Sequence, residues 1–132
     1  MSPHEVLHPA GWAKARGYAN GMAAAGRLVV TGGLIGWNAE QRWETDDFAA
    51  QAAQALRNVV AVLACAGAEP RHLVRLTWYV TSKREYLASL DALGRAYQEI
   101  IGRHYPAMAL VQVVALVEDR AKVEIEATAV VP

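Results

Sequence analysis

Hydrophobic positions recur at two different periods along this chain, and the periods alternate. Between residues 48 and 63 apolar side chains return every three or four residues (Phe48, Ala52, Leu56, Val59, Leu63), which predicts a helix with one buried stripe. Thr45, Asp46 and Asp47 precede it. Either Thr45 or Asp46 can cap the free N–H groups of its first turn, and the acidic pair suits the positive end of the helix dipole. Gly67 stops the helix and Pro70 lies just beyond. From His72 to Val80 the period drops to two, with Leu73, Arg75, Thr77 and Tyr79 set against Val74, Leu76, Trp78 and Val80, the alternation of a strand. A Ser-x-x-Glu capping box, Ser82 to Glu85, then opens a second helix. It carries Tyr86, Leu90, Leu93, Tyr97 and Ile100 on one face and ends near Gly102.

The remaining segments read as strands and turns. Residues 1–16, with Pro3, Pro9 and Gly11, form a leading segment and loop. Tyr18 to Ala25 and Leu28 to Thr31, joined at Gly26-Arg27, have the composition of a β-hairpin. Gly32 and Gly33 end it, and Gly36 follows, where a sharp bend or close backbone approach to a ligand is allowed. Ala107–Leu116 is a long apolar strand after Pro106, Glu118-Asp119-Arg120 a turn, and Lys122–Val131 the last strand. This order predicts one α+β domain over residues 1–132, a mixed sheet with two helices on one face. The other face is expected to be apolar and uncovered, so that copies of the chain pack sheet against sheet.

Composition sharpens that expectation. Of 132 residues, 54% are hydrophobic and 20% charged, against about 45–50% and about 25% in ordinary domains. Thirteen basic residues balance thirteen acidic ones, so the surplus a nucleic-acid binder uses to neutralise phosphates is missing. The single cysteine, Cys65, rules out an internal disulfide, suits a reducing compartment and reads as an inert core thiol. Met1-Ser2-Pro3-His4-Glu5 lacks the pattern of a signal peptide, and no apolar run approaches the roughly 20 residues that cross a bilayer. A cytoplasmic location is expected. His4 and His8 have helical metal spacing, but Pro3 and Pro9 bracket them, so no metal site is expected. The partner left by these exclusions is a small organic molecule.

Several short segments carry a more specific likeness. Lys122-Val123-Glu124-Ile125-Glu126-Ala127, preceded by Tyr105-Pro106-Ala107 and a valine-rich strand, resembles the Rid family, also called YjgF or endoribonuclease L-PSP. Arg16-Gly17-Tyr18-Ala19-Asn20-Gly21 resembles that family's Gly-Pro-Tyr-x-x-Gly, and Val29-Val30-Thr31-Gly32-Gly33 its strand ending in Ser-Gly-Gln. Gln54-Ala55-Leu56-Arg57-Asn58-Val59 resembles its Gln-x-x-x-Asn-(Leu/Val) helix. The likeness runs from about residue 14 to residue 131. It implies a chorismate-mutase-like fold, a barrel-shaped homotrimer with clefts between subunits, and hydrolysis of reactive enamines and imines to 2-keto acids and ammonia without a cofactor.

The chain departs from that pattern where the chemistry lies. Hydrolysing a 2-imino acid calls for a cation to hold the carboxylate, a placed water and a group to manage protons. The resemblance puts the cation in an arginine after the Pro-Ala pair, and this chain has Met108 there. The family's nearby cysteine becomes Leu110, and the serine at the hairpin end becomes Gly32. Tyr18 matches the family's pocket tyrosine. Glu124 matches the carboxylate that orients water, with Glu126 as its rival on the same strand face. Met108 and Leu110 share one strand face with Gln112, so that wall is oily with one polar group, and Trp37 follows the glycine-rich segment. Such walls suit a flatter, more apolar ligand than a pyruvate imine, for example a conjugated, aminomuconate-like enamine. The missing cation's place falls to Arg103, to Lys83 or to no residue, and the sequence leaves these alternatives open. Each residue also has a structural reading: Tyr18 as a packing aromatic, Glu124 as a solvated charge, Met108 and Leu110 as core, and Trp12, Trp43 and Trp78 as packing residues. Three functions follow: an enamine or imine deaminase with Glu124 and Tyr18 catalytic, a metabolite-binding trimer without chemistry, and more remotely an RNA-acting factor.

Overall fold

The structure, a computed structural model, describes residues 2–132. In chain order the elements are β1 (Glu5–Leu7), β2 (Gly21–Ala23), β3 (Arg27–Val30), β4 (Leu34–Ile35), α1 (Phe48–Ala64), β5 (Leu73–Val80), α2 (Lys83–Ala88), α3 (Leu90–Ile100), β6 (Ala107–Gln112) and β7 (Val123–Val131). The main sheet runs β3-β7-β5-β6, with β4 also paired to β7. Only β5 and β6 are parallel; the other pairs are antiparallel. The fold is α+β with a mixed sheet, and α1 and α3 pack together on one side of it.

The apolar stripe of α1 does what its spacing requires: Phe48, Ala52, Leu56, Val59 and Leu63 are all buried. They meet the β5 residues Leu76, Trp78 and Val80 and the β7 residues Val123, Ile125, Ala127 and Ala129 in one core. The cap is Asp47, whose carboxylate accepts from the Ala50 N–H at 2.9 Å, while Thr45 accepts from the Asp47 N–H at 2.9 Å. Neither Thr45 nor Asp46 is therefore the cap. Ser82 caps α2 through the Glu85 N–H at 3.1 Å. The second helical stretch is broken at Ser89, whose hydroxyl bonds back to the Glu85 carbonyl at 2.7 Å and competes with the helix ladder.

Three expectations are corrected. The hairpin at Gly26 does not form: β2 pairs with β1, a strand in what was expected to be a loop, and β3 pairs with β7. In a two-residue hairpin both central residues stay outside the ladder. Here Arg27 already belongs to β3, opposite Val131 of β7, and Gly26 (φ 145°) lies so close to the Val131 backbone that a Cβ would collide with it. The apolar run after Pro106 stays in the sheet only to Gln112. Cys65 is exposed at the end of α1 rather than buried.

The uncovered face also differs from its expected character. Directly paired residues share a face, so Arg75, Thr77 and Tyr79 lie with Thr128, Glu126 and Glu124 on the side away from the helices. Apolar groups gather toward its margins, at Leu28 (66% exposed), Val30 (62%) and Val111. That face is a polar strip with an apolar rim.

Candidate functional site

Two concave regions collect the residues singled out by the sequence. The first lies at the β6 edge under α3. It is a cavity of about 320 Å³ walled by Tyr18, Trp78, Tyr86, Leu93, Met108 and Leu110, among others, with Arg16 and Gly17 at one side. Met108 pairs with Leu76 and Leu110 with Trp78, which sets both on the helix-covered face. The Arg16–Tyr18 loop is pulled onto this edge by the Ala19 N–H, which donates to the Pro106 carbonyl at 3.0 Å, and by the parallel bridge of Ala19 with Ala107. Gly17 makes the required bend with φ 77°, a conformation that side chains rarely adopt. Behind the cavity Tyr97 stacks on Tyr105, centroids 5.2 Å apart, and its hydroxyl donates to the His104 carbonyl at 2.6 Å. Burial drives the Tyr97 phenol well above its usual range, so this hydroxyl stays a donor.

One polar atom in this wall stands out. Trp78 is 6% exposed, and its indole Nε1 is the one buried side-chain polar atom among the described residues with no hydrogen-bond partner. An unsatisfied buried donor costs about 1–3 kcal/mol, and buried indoles ordinarily find a partner.

The second region lies at the β4 end of β7. It is a crevice of about 520 Å³ bounded by Gly33, Trp37, Asn58, Val62, Glu118 and Glu124, among others. Glu124 lies over Gly33 so closely that a Cβ at residue 33 would collide with its carboxylate. The helix motif Gln54-x-x-x-Asn58 explains the crevice wall. Asn58 Nδ2 donates to the carbonyls of Ile35 and Trp37, both at 2.9 Å, and Gln54 Nε2 donates to Asn58 Oδ1 at 2.9 Å. Those bonds hold the Trp37 backbone on α1. Trp37 in turn tilts against Trp43 with centroids 5.9 Å apart, and Arg120 lies over the Trp43 ring.

The two carboxylates on β7 differ in environment. Glu126 accepts from the Tyr79 hydroxyl at 2.5 Å, and that bond, with burial second, raises the Tyr79 phenol above its ordinary range. Among the described residues Glu124 has no hydrogen-bond or ion-pair partner, and it borders the crevice.

Thus Tyr18, Met108 and Leu110 come together in one place, and Gly33, Trp37 and Glu124 in another. Gly32 adjoins the second group, its carbonyl accepting from the Thr31 hydroxyl at 2.8 Å. Within one chain the two groups do not meet, because Met108 and Glu124 sit on opposite faces of the sheet. Arg103 and Lys83 are exposed and line neither region; Lys83 and Gln112 are joined instead, the Lys83 N–H donating to Gln112 Oε1 at 2.7 Å. Sequence reasoning missed Arg16, the cation that does border the oily cavity, and Trp78, whose alternation marked it as buried but not as unpaired. Among the described residues no cluster of three or more metal-ligating side chains occurs, and no helix is long and apolar enough to cross a membrane.

An open-faced mixed sheet backed by α1 and α3, with concave regions at opposite edges, defines the class: an α+β protein of mixed-sheet architecture. The family model for endoribonuclease L-PSP matches residues 10–131, and the chain belongs to this family, the Rid/YjgF family. It is 34% identical over 105 residues, 80% of each chain, to the 2-iminobutanoate/2-iminopropanoate deaminase of Escherichia coli K12. Among solved structures it is similar to YyfB of Yersinia pestis, described as a protein of unknown function of the Rid family, with a TM-score of 0.84 and 30% identity over 97% of this chain and 98% of that one. It is also similar to E. coli TdcF with bound serine, with a TM-score of 0.69 and 28% identity over 97% and 99% of the two chains.

Proposed function

We propose that this protein hydrolyses an enamine or imine in clefts formed where the Tyr18 region of one subunit meets the Glu124 region of the next, in a homotrimer. The observation that carries the reading is the unpaired Glu124 carboxylate bordering an open crevice, beside a Glu126 already engaged by Tyr79. The deaminase name of the 34% identical relative supports the same chemistry.

In this reading water adds to the carbon of the C=N bond, and Glu124 takes its proton and passes it to nitrogen. As the C–N bond of the resulting carbinolamine breaks, its hydroxyl proton moves to the leaving nitrogen, giving a carbonyl and ammonia. An enamine is first protonated at carbon to reach the imine. Tyr18 positions the substrate, Gly32, Gly33 and Trp37 shape the acid side, and Met108 and Leu110 form the oily wall. That wall favours a conjugated or otherwise flat substrate, aminomuconate-like in shape, over a pyruvate imine.

Glu124→Gln tests this. It keeps shape and removes the base, so turnover of imines generated in place falls by about 10²–10⁴ while ligand affinity measured by calorimetry is retained. Unchanged turnover sinks the proposal. Met108 in place of a carboxylate-binding arginine favours one other reading, a metabolite-binding trimer without chemistry. In that case no imine is hydrolysed above the spontaneous rate, and Glu124→Gln changes nothing but affinity.

A further inference from the structure

We infer that Arg16 and Trp78 together select the ligand of the β6-edge cavity: an anionic acid with an aromatic or flat conjugated body, its carboxylate held by Arg16 at the mouth and an acceptor on its body meeting the Trp78 N–H inside. This rests on reading the cavity as the substrate side of the cleft, but not on turnover.

Three observations carry it. Among the described residues Arg16 is the only charged side chain in the cavity walls, and no carboxylate pairs with it. Its loop is fixed to β6 through Ala19 and Pro106, so the guanidinium has a defined origin although it reaches toward solvent. Trp78 supplies the second determinant: it lines the cavity, and its indole N–H has no partner and is closed to solvent, so a ligand acceptor reaches it only as the side chains around it shift. An acceptor carried into the cavity completes it, and an all-hydrocarbon ligand does not.

Shape is the third. About 320 Å³ walled by Tyr18, Tyr86, Leu93, Met108 and Leu110 exceeds what a three-carbon acid fills, and it matches a ring or conjugated chain. Placing the cation in the Arg16 loop rather than at residue 108 also sets the ligand's direction. The charged end lies outermost, the acceptor next to it (the keto oxygen of a 2-keto acid) turns to Trp78, and the apolar end sits against Met108 and Leu110, because a carboxylate beside Met108 would be buried without a partner.

The experiment uses the whole protein and three probes, phenylpyruvate, pyruvate and phenylacetone, measured by calorimetry and by the indole N–H resonances. Phenylpyruvate binds at least about tenfold more tightly than the small acid or the neutral ketone. Arg16→Gln lowers its affinity about tenfold or more and leaves phenylacetone unchanged, while Arg16→Lys keeps part of the gain. The Trp78 resonance, assigned by its loss in Trp78→Phe, moves on adding phenylpyruvate. If Trp78→Phe does not fold, the shift in the parent protein, assigned by sequential methods, carries the same information. Affinity for phenylpyruvate within twofold of the parent in Arg16→Gln, or an unmoved Trp78 resonance, overturns the inference. Arg16-dependent binding without imine turnover sinks the deaminase reading and leaves this one standing. Turnover indifferent to Arg16 and to the size of the substrate body does the reverse.

Discussion

The oily cavity under Tyr18 and the acid crevice under Glu124 are held by different forces. Packing shapes the first: aromatic and aliphatic side chains of β5, α3 and β6, with an indole N–H left over. Hydrogen bonds shape the second, where Asn58 pins two backbone carbonyls and Gly33 makes room for a carboxylate. A packed wall tolerates side-chain exchange when volume is kept, whereas a pinned loop fails when one donor is lost. Met108 and Leu110 belong to the tolerant wall. The Asn58 clamp belongs to the pinned loop. In the proposed function that difference separates the region that chooses a ligand from the region that carries out chemistry.

That contrast can be pressed from its largest expected consequence to its smallest. Leu56, fully buried on α1, belongs to the core that supports both regions. Leu56→Ala should cost about 2–5 kcal/mol in urea unfolding; a loss near zero would mean that the core does not carry them. Asn58→Ala removes two donors from the Ile35 and Trp37 carbonyls. A stability loss of about 1–3 kcal/mol is expected, with turnover reduced and phenylpyruvate affinity retained. Equal damage to both would erase the distinction between the regions. In Gly33→Ala the new methyl displaces the Glu124 carboxylate, and a misplaced base should lower kcat about tenfold or more with KM little changed. A KM effect alone would place Gly33 in binding instead.

The smallest effect is one of pH. Burial holds His104 below its ordinary range, against a raising contribution from the Leu73 carbonyl it contacts at 2.8 Å. Its folded-state pKa is thus below the unfolded one. This contribution is fully present above about pH 6.5, where both states are neutral. It is lost as pH falls toward the folded value, because the unfolded chain takes up its proton first. Unfolding titrations should therefore show stability declining below about pH 6.5, and His104→Gln should make the decline shallower.

Sequence periodicity exposed much of this, and the misses have physical causes. The α1 stripe and the β5 alternation were plain because each buries a full face against the same core. Gly26 misled because a turn-like dipeptide says nothing about which strand the next residues join; long-range pairing with β7 decided it. Glu124 and Glu126 could not be ranked by spacing, since both face the same side, and only the reach of Tyr79 across the strands separates them. Arg16 lies in the Arg16–Gly21 segment, where neither periodicity nor spacing marks it as a site residue. Its place beside Met108 depends on Ala19 bridging to Ala107, a contact between segments 88 residues apart in the chain.

The claim that the two regions work as one site only between subunits has a direct test. Glu124→Gln and Tyr18→Ala chains, each inactive alone, can be co-expressed with different tags and purified as mixed assemblies. Random pairing in a closed ring leaves roughly a quarter of the seams with both side chains intact, so imine hydrolysis should return to about that fraction of the parent rate. Mixed assemblies that stay as inactive as either variant would show that Tyr18 and Glu124 do not complete one site across the seam, and would contradict the account.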